Sequence, residues 1–284
     1  MAGKQTRNSD TAHARNGKRG ISRREVEDIE ELSAPRTPVI YEVVRRLGDE
    51  EMVRPATSLW WSGLAAGLSI SFSLLAQAIL ETHLPDTPWR SLIAAFGYSV
   101  GFLIVIMGRQ QLFTESTVTV VLPVLKHFTW ANLANMGRLW AIVLVANLVG
   151  TLFASVFCTY TPVLPHELYD GMLEVSRPLL ALTWWDMLFR AISSGFIIAA
   201  MVWMIPAAES VKFHVIALMT WLIAVGGFTH IVAGSMEAYM LVLSGNWAVL
   251  PMLGTFMVPV LIGNVIGGTA LFALISYAQV MHEI

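Results

Sequence analysis

"GRQQLFTESTVTVV", residues 108–121, sits in the middle of an apolar run that extends from Leu92 to Leu125. Arg109, Gln110, Gln111, Thr114 and Glu115 interrupt that run near its centre. One charged side chain at the middle of a membrane helix costs about 2.5–3.5 kcal/mol on insertion scales. A chain that accepts this cost turns its backbone beside a protected, partly hydrated cavity rather than facing lipid there.

The rest of the sequence fits a membrane setting. Of 284 residues, 55% are hydrophobic and only 13% charged, too apolar for an ordinary soluble domain. Stretches of about 20 apolar residues suit a bilayer crossing. They occur at 57–80, 92–125, 132–158, 183–205, 213–244 and 248–278, and the second and fifth are interrupted. Trp60, Trp61, Trp89, Trp130, Trp184, Trp185 and Trp247 fall near segment ends, as interfacial belts require. Eleven of the 18 Lys and Arg residues precede the first span, and Lys126, Arg138 and Lys212 border later loops on that side. The opposite loops carry Arg90 and Arg177 beside Glu167, Asp170 and Glu174. Both termini are therefore expected to be cytoplasmic.

Residues 1–36 are polar and of mixed charge, and read as a disordered tail without the apolar core of a signal peptide. Residues 37–55 read as an amphipathic helix, opened by Thr37-Pro38 and carrying Ile40, Val43, Val44 and Leu47 on one face. It lies on the membrane surface or packs beneath the bundle. Residues 56–280 form the six-span domain and 281–284 a cytoplasmic end.

The two halves repeat. "WWSGLAAGLSISF" (60–72) matches "WWDMLFRAISSGF" (184–196), "LFTEST" (112–117) matches "GFTHIV" (227–232), and "ANLVGTLFA" (146–154) matches "GNVIGGTALFA" (263–273). With three spans in each half, the second half enters the membrane from the opposite side. This predicts an all-α membrane protein: six transmembrane helices as an inverted 3+3 repeat, aquaporin-like, with broken helices 2 and 5. Gly63-x-x-x-Gly67, Ala146-x-x-x-Gly150 and Gly263-x-x-x-Gly267 read as close-packing faces.

"LFTESTV", "GFTHIVAG" and "VPVLIGNVIGG" resemble the formate/nitrite transporter family over nearly all of residues 40–280. "RQQLFTESTVTVVLPV", "MVWMIPAAES" and "FALISYAQ" are most similar to a branch typified by an enterobacterial inner-membrane protein. The resemblance implies a homopentamer with one pore per protomer, passing small monovalent anions or their conjugate acids (formate, nitrite, hydrosulfide). It places Leu112-Phe113-Thr114 at a pore turn, His230 at the centre with Phe228 and Thr229 just before it, and apolar constrictions near Phe102 and Ile223. The chain also departs from the family pattern. Thr229 stands where an acid is frequent, Gly195 where an Asn is expected, and Glu115 where a small residue is usual, while Arg109 and Arg190 add charge.

From the residues themselves, His230 is the one His deep in an apolar segment, and imidazole changes charge near neutral pH. It either serves the pore or merely bonds loose backbone at the break. A bare anion meets a large desolvation cost at an apolar constriction, and protonation removes most of it. The expected passage is an anion polarised by Thr114 and His230, neutralised by a proton from His230 or from water, and crossing Phe102 and Ile223 as the acid. Glu115 would repel an anion if ionised, so it is paired with Arg109 or Arg190, is protonated, or marks a pore for neutral or cationic solutes. Asp186 and Arg190, four apart, share a helix face and are expected to pair. Asn147 and Asn264, at matching repeat positions, are expected to bond unpaired backbone at the breaks. A non-conducting scaffold or sensor is a further alternative. Enzyme, cofactor and metal motifs are absent: there is no Gly-x-Ser-x-Gly, His-Glu-x-x-His or phosphate loop. The single Cys158 forms no disulfide within the chain, and a net charge of −2 gives no nucleic-acid signal.

Overall fold

The computed structural model describes residues 35–283, which are helical with no strand among them. The expected tail lies almost wholly outside the described residues. Helix α1 (Thr37–Met52) is followed by α2 (Ala56–His83) and α3 (Arg90–Met107). Then come two short pieces, α4 (Phe113–Thr119) and α5 (Val121–Lys126), and the long α6 (Trp130–Tyr160). Helix α7 (His166–Ser176) leads to α8 (Trp184–Ala207), α9 (Lys212–Val225) and α10 (Ala233–Leu243), and finally α11 (Val249–Val280).

Five of these helices, α2, α3, α6, α8 and α11, are long and apolar enough to cross a membrane. The stretch read as a fifth span, 213–244, is two helices of 14 and 11 residues separated by Gly226–Val232. The one read as the second span continues past Met107 only after five residues outside helix, Gly108–Leu112. Chain geometry explains where each helix stops. Arg109 adopts φ 50° and Gly227 φ 60°, a left-handed conformation that ends a right-handed helix.

Packing follows small residues. A Cβ on Gly67 would lie 2.2 Å from the Asn147 carbonyl oxygen, and one on Gly150 would lie 2.6 Å from that of Leu64, so α2 and α6 touch backbone to backbone. In the other half, Gly195 would meet the Asn264 carbonyl at 2.5 Å and Gly267 that of Ile192 at 2.1 Å, joining α8 to α11 in the same way. These contacts set a register that differs from the repeated words. They pair Gly67 with Gly195 and Leu64 with Ile192, one helical turn away from the Trp-Trp alignment. Short words built of common residues match by chance, whereas close backbone approach tolerates only certain positions.

The short helices cross over between halves. Helix α4 packs on α8 and α11, and α10 packs on α6. Helix α3 lies against α9, so the two interrupted segments meet at the centre. Helix α1 docks on the bundle rather than standing apart. Tyr41 and Val44 are fully buried among Val121, Leu122, Ala199 and Val202, and Gly48 presses on the Thr119 carbonyl. The expected apolar face is therefore turned: Val43 and Leu47 are exposed, and the buried side is Tyr41, Val44, Gly48 and Met52. Glu42 pairs with Arg45 and Arg46 along α1 and reaches Lys126 on α5, the one of the three that ties α1 to the bundle. Hydrogen bonds from Arg45 and Arg46 keep its carboxyl well below the usual carboxylate range.

Candidate functional site

An interrupted helix leaves backbone N–H and C=O groups without partners, and in an apolar interior each is costly. Two asparagines meet that need with matching bonds. Asn147 Oδ1 accepts from the Phe113 N–H at 2.9 Å, while its Nδ2 donates to the carbonyls of Gln111 at 2.9 Å and Gly63 at 2.8 Å. Asn264 Oδ1 accepts from the Ile231 N–H at 2.8 Å, while its Nδ2 donates to the carbonyls of Ala191 at 2.8 Å and Thr229 at 3.3 Å. Each side chain thus clamps the residues before and after one central position. That position is Leu112 in the first break and His230 in the second. The word match had set His230 opposite Glu115, three residues away.

His230 is 1% exposed and points at the first break. Its Nε2 lies 2.8 Å from Thr114 Oγ1. Its Nδ1 accepts from the N–H groups of Val232 at 3.3 Å and Ala233 at 3.1 Å, capping the start of α10. A nitrogen that accepts two backbone bonds carries no proton, so the ring is neutral with its proton on Nε2, which donates to Thr114. Phe102, fully buried, sets its ring edge-on to the imidazole at 5.2 Å, and Ile223 is also fully buried. Leu112 and Phe113 are buried as well, Phe113 packing edge-on against Trp140. Thr229 turns away from His230: its Oγ1 donates to the Met187 carbonyl at 2.9 Å.

On one side of His230 opens a cavity of about 200 Å³, whose walls include Arg190, Phe228, Tyr98, Gln77 and Glu237. It is smaller than the roughly 300–1,000 Å³ of a drug-sized site, and so suits a small solute. Val175 and Leu179, which follow α6 in the chain, also line it. Glu237 and Tyr98 were not among the residues singled out in the sequence. The signal was present, since Glu237 is a solitary acid in an otherwise apolar α10.

The charged residues take separate places. Asp186 does not pair with Arg190. It forms a capping box with Thr183, accepting from the Thr183 N–H at 2.9 Å and Oγ1 at 2.6 Å, because the start of α8 offers stronger local donors. Arg190 donates from Nη1 to the Gly227 carbonyl at 3.2 Å, holding the second break. Arg109 is exposed at the first break. Among the described residues Glu115 forms no ion pair with either arginine; Glu51 and Lys212 act on it electrostatically. Glu51 reaches in from α1, accepting from Thr119 Oγ1 at 2.7 Å and Gln111 Nε2 at 3.3 Å. Burial pushes its carboxyl upward. Among the described residues no cluster of His, Cys, Asp and Glu could hold a metal ion.

Two clamped breaks meeting at one buried His–Thr pair, within an apolar bundle, define an arrangement that can be compared with known proteins. A family model described as formate/nitrite transporter matches residues 38–278. The chain belongs to the formate/nitrite transporter family. It is 44% identical over 260 residues to the inner membrane protein YfdC of Escherichia coli, covering 92% of this chain and 84% of that one. This is the branch that the longer sequence strings resemble. It is 25% identical to the formate channel FocA of Haemophilus influenzae over 241 residues, covering 76% and 84% of the two chains. Among solved structures, a pentameric formate channel with formate bound superposes with a TM-score of 0.68 at 19% identity, over 80% of this chain and 98% of that one. An ion channel of the same family gives 0.70, also at 19% identity, over 86% and 98%. This family member is thus a helical membrane protein with the fold of those channels.

Proposed function

We propose that this protein conducts small monovalent anions, or their conjugate weak acids, through a passage centred on His230. The observation that carries the proposal is the 2.8 Å contact of His230 Nε2 with Thr114 Oγ1, where the two breaks meet behind Phe102. In this reading α9 and α10 together make the sixth crossing, and the six form an inverted 3+3 repeat. Both termini are cytoplasmic, the membrane is the bacterial inner membrane, and five protomers assemble with one passage each.

The chemistry follows from the ring's bonds. Nε2–H donates to Thr114, which leaves the Thr114 hydroxyl proton free to point at a solute oxygen, nitrogen or sulfur. An anion drawn to this polarised pair must still cross the buried Phe102 and Ile223. Desolvating a bare charge there is prohibitive, so it crosses as the neutral acid. To act as the proton source, His230 would have to protonate Nδ1 and break both bonds to the start of α10, where the positive helix end also opposes a cation. His230 therefore orients and polarises, and the proton comes from elsewhere.

The test is flux of formate, nitrite, hydrosulfide and acetate into proteoliposomes at two pH values. His230→Asn is expected to lower the rate at least tenfold. An unchanged rate and pH profile would remove His230 from the mechanism. A second reading, a pore for small neutral or cationic solutes, draws on Glu115 and Glu237. Ammonium or glycerol flux exceeding that of every anion in the same panel would favour it.

A further inference from the structure

The passage needs a proton source other than His230, and the molecule places a carboxyl on each side of it. Glu237 stands two turns beyond His230 on α10, on the wall of the cavity. Glu115 directly follows Thr114, on the opposite side: α4 runs from the His–Thr contact toward α1, where Thr119 meets Glu51. Among the described residues neither glutamate has a hydrogen-bond or ion-pair partner, unlike Asp186, Glu51 and Glu42. A carboxylate left ionised and unpaired beside an anion route repels the anion. A carboxylic acid in the same place donates a hydrogen bond, or its proton, to the same anion.

We propose that Glu237 and Glu115 are the proton-exchanging groups of the passage, one for each side of the His230–Thr114 centre. This rests on the weak-acid reading above. At the cavity, Arg190 draws in the anion A⁻ and the Glu237 carboxylic acid transfers its proton, giving HA and the carboxylate. HA passes Phe102 and Ile223. On the far side HA returns the proton to the Glu115 carboxylate, releasing A⁻ and leaving the acid form. Water on each side restores the starting states, delivering a proton to Glu237 and accepting one from Glu115. The net movement is one anion with one proton, without net charge.

The groups facing each carboxyl suit this exchange. Around Glu237 the titratable neighbours on the cavity wall are Arg190 from α8, Tyr98 from α3 and His230 from the break before α10; Gln77 from α2 is uncharged. Around Glu115 they are Glu51 from α1 and Lys212 from α9. Lys212 thus acts on Glu115 electrostatically and Arg190 shares the cavity wall with Glu237, and among the described residues neither cation pairs with its glutamate.

The experiment measures formate flux in proteoliposomes from pH 5 to pH 8 for wild type, Glu237→Gln, Glu237→Asp and Glu115→Gln, with internal pH followed by a dye. Both Gln variants are expected to lose at least tenfold at pH 8 and to approach wild type at pH 5, where the bulk solution already supplies the acid. Glu237→Asp is expected to retain most of the rate, and wild type to carry one proton per formate. Gln variants that are faster than wild type at pH 8 would make the carboxylates repulsive gates and overturn the proposal. A loss equal at all pH values would make them structural and overturn it as well. Should a Gln variant fail to assemble, the Asp variant and the wild-type proton count decide. Wild type that carries none of formate, nitrite, hydrosulfide or acetate would sink the weak-acid reading itself. Wild-type formate flux with unaffected Gln variants would sink only the role of the glutamates.

Discussion

The two breaks share a scaffold and differ in what the scaffold presents. In each, an Asn side chain spans three residues, accepting from the N–H after the central one and donating to the carbonyl before it. The first break puts Leu112 in the middle; the second puts His230 there. Two residues on, the difference reverses: Thr114 is polar and its counterpart Val232 is apolar. The two clamps hold one composite centre, with the ring supplied by one half of the chain and the hydroxyl by the other. Identical backbone chemistry is thus separable from the functional side chains mounted on it.

The comparison is broken most severely at the clamps. Asn264→Ala strands the Ile231 N–H and removes one donor each from the Ala191 and Thr229 carbonyls, which keep Ser194 Oγ. At about 1–3 kcal/mol for the buried group left unsatisfied and about 0.5–1.5 kcal/mol for each of the two other hydrogen bonds lost, the loss is about 2–6 kcal/mol. Little assembled protein is expected by size-exclusion chromatography in detergent. Asn147→Ala should match it within about 1 kcal/mol on thermal unfolding, because it removes an equivalent set of bonds. A mild effect at one and collapse at the other would show that the clamps are not equivalent.

Next comes the central residue. His230→Leu makes the second break like the first, which already accommodates Leu112. Folded protein is expected, with a loss of about 1 kcal/mol for the missing cap bonds to α10. Solute flux should fall about a hundredfold, equivalent to about 2.7 kcal/mol in the barrier. A folded variant with wild-type flux would show that the two centres are interchangeable. Thr114→Val makes the first break like the second at that step. It removes the partner of His230 Nε2 and should lower flux about tenfold, with a stability change within about 1 kcal/mol.

The smallest effect tests an asymmetry between the clamps. The first break is supported at its N–H side, Ser62 Oγ accepting from the Gln111 N–H at 3.0 Å, whereas the second is supported at its carbonyls by Ser194 and Arg190. Ser62→Ala should cost about 1 kcal/mol on unfolding and leave flux within twofold. A larger loss of flux would mean that the position of Leu112 depends on that single hydroxyl.

Much of this was legible in the sequence. Polar residues at 109–115 inside an apolar run, and a lone His at 230, signal turns at depth, because lipid tolerates neither. The helix boundaries at Met107 and Val225 lie where those signals fall. The correspondence of Leu112 with His230 between the two Asn clamps was not legible. Trp-Trp and Phe-Thr are words of side chains, while the register is fixed by backbone contact at Gly67, Gly150, Gly195 and Gly267. The Asp186–Arg190 pair failed for a related reason. Spacing says which residues share a helix face, but Thr183 one residue before α8 competes for the same carboxylate. Glu51 was hidden because an amphipathic helix normally faces its acids to water, and only docking of α1 turns this one toward Thr119.

The crossing-over of α4 onto α8 and α11 has a consequence for how the protein is made. While the ribosome is still translating the later helices, Phe113–Thr119 has no final resting place. Its partners are synthesised some 70 to 160 residues later. The early helices must wait in the bilayer, or beside the insertion machinery, with that piece unseated. Neither half is a self-sufficient folding unit, and stopping synthesis after α6 should yield a product that quality-control proteases remove.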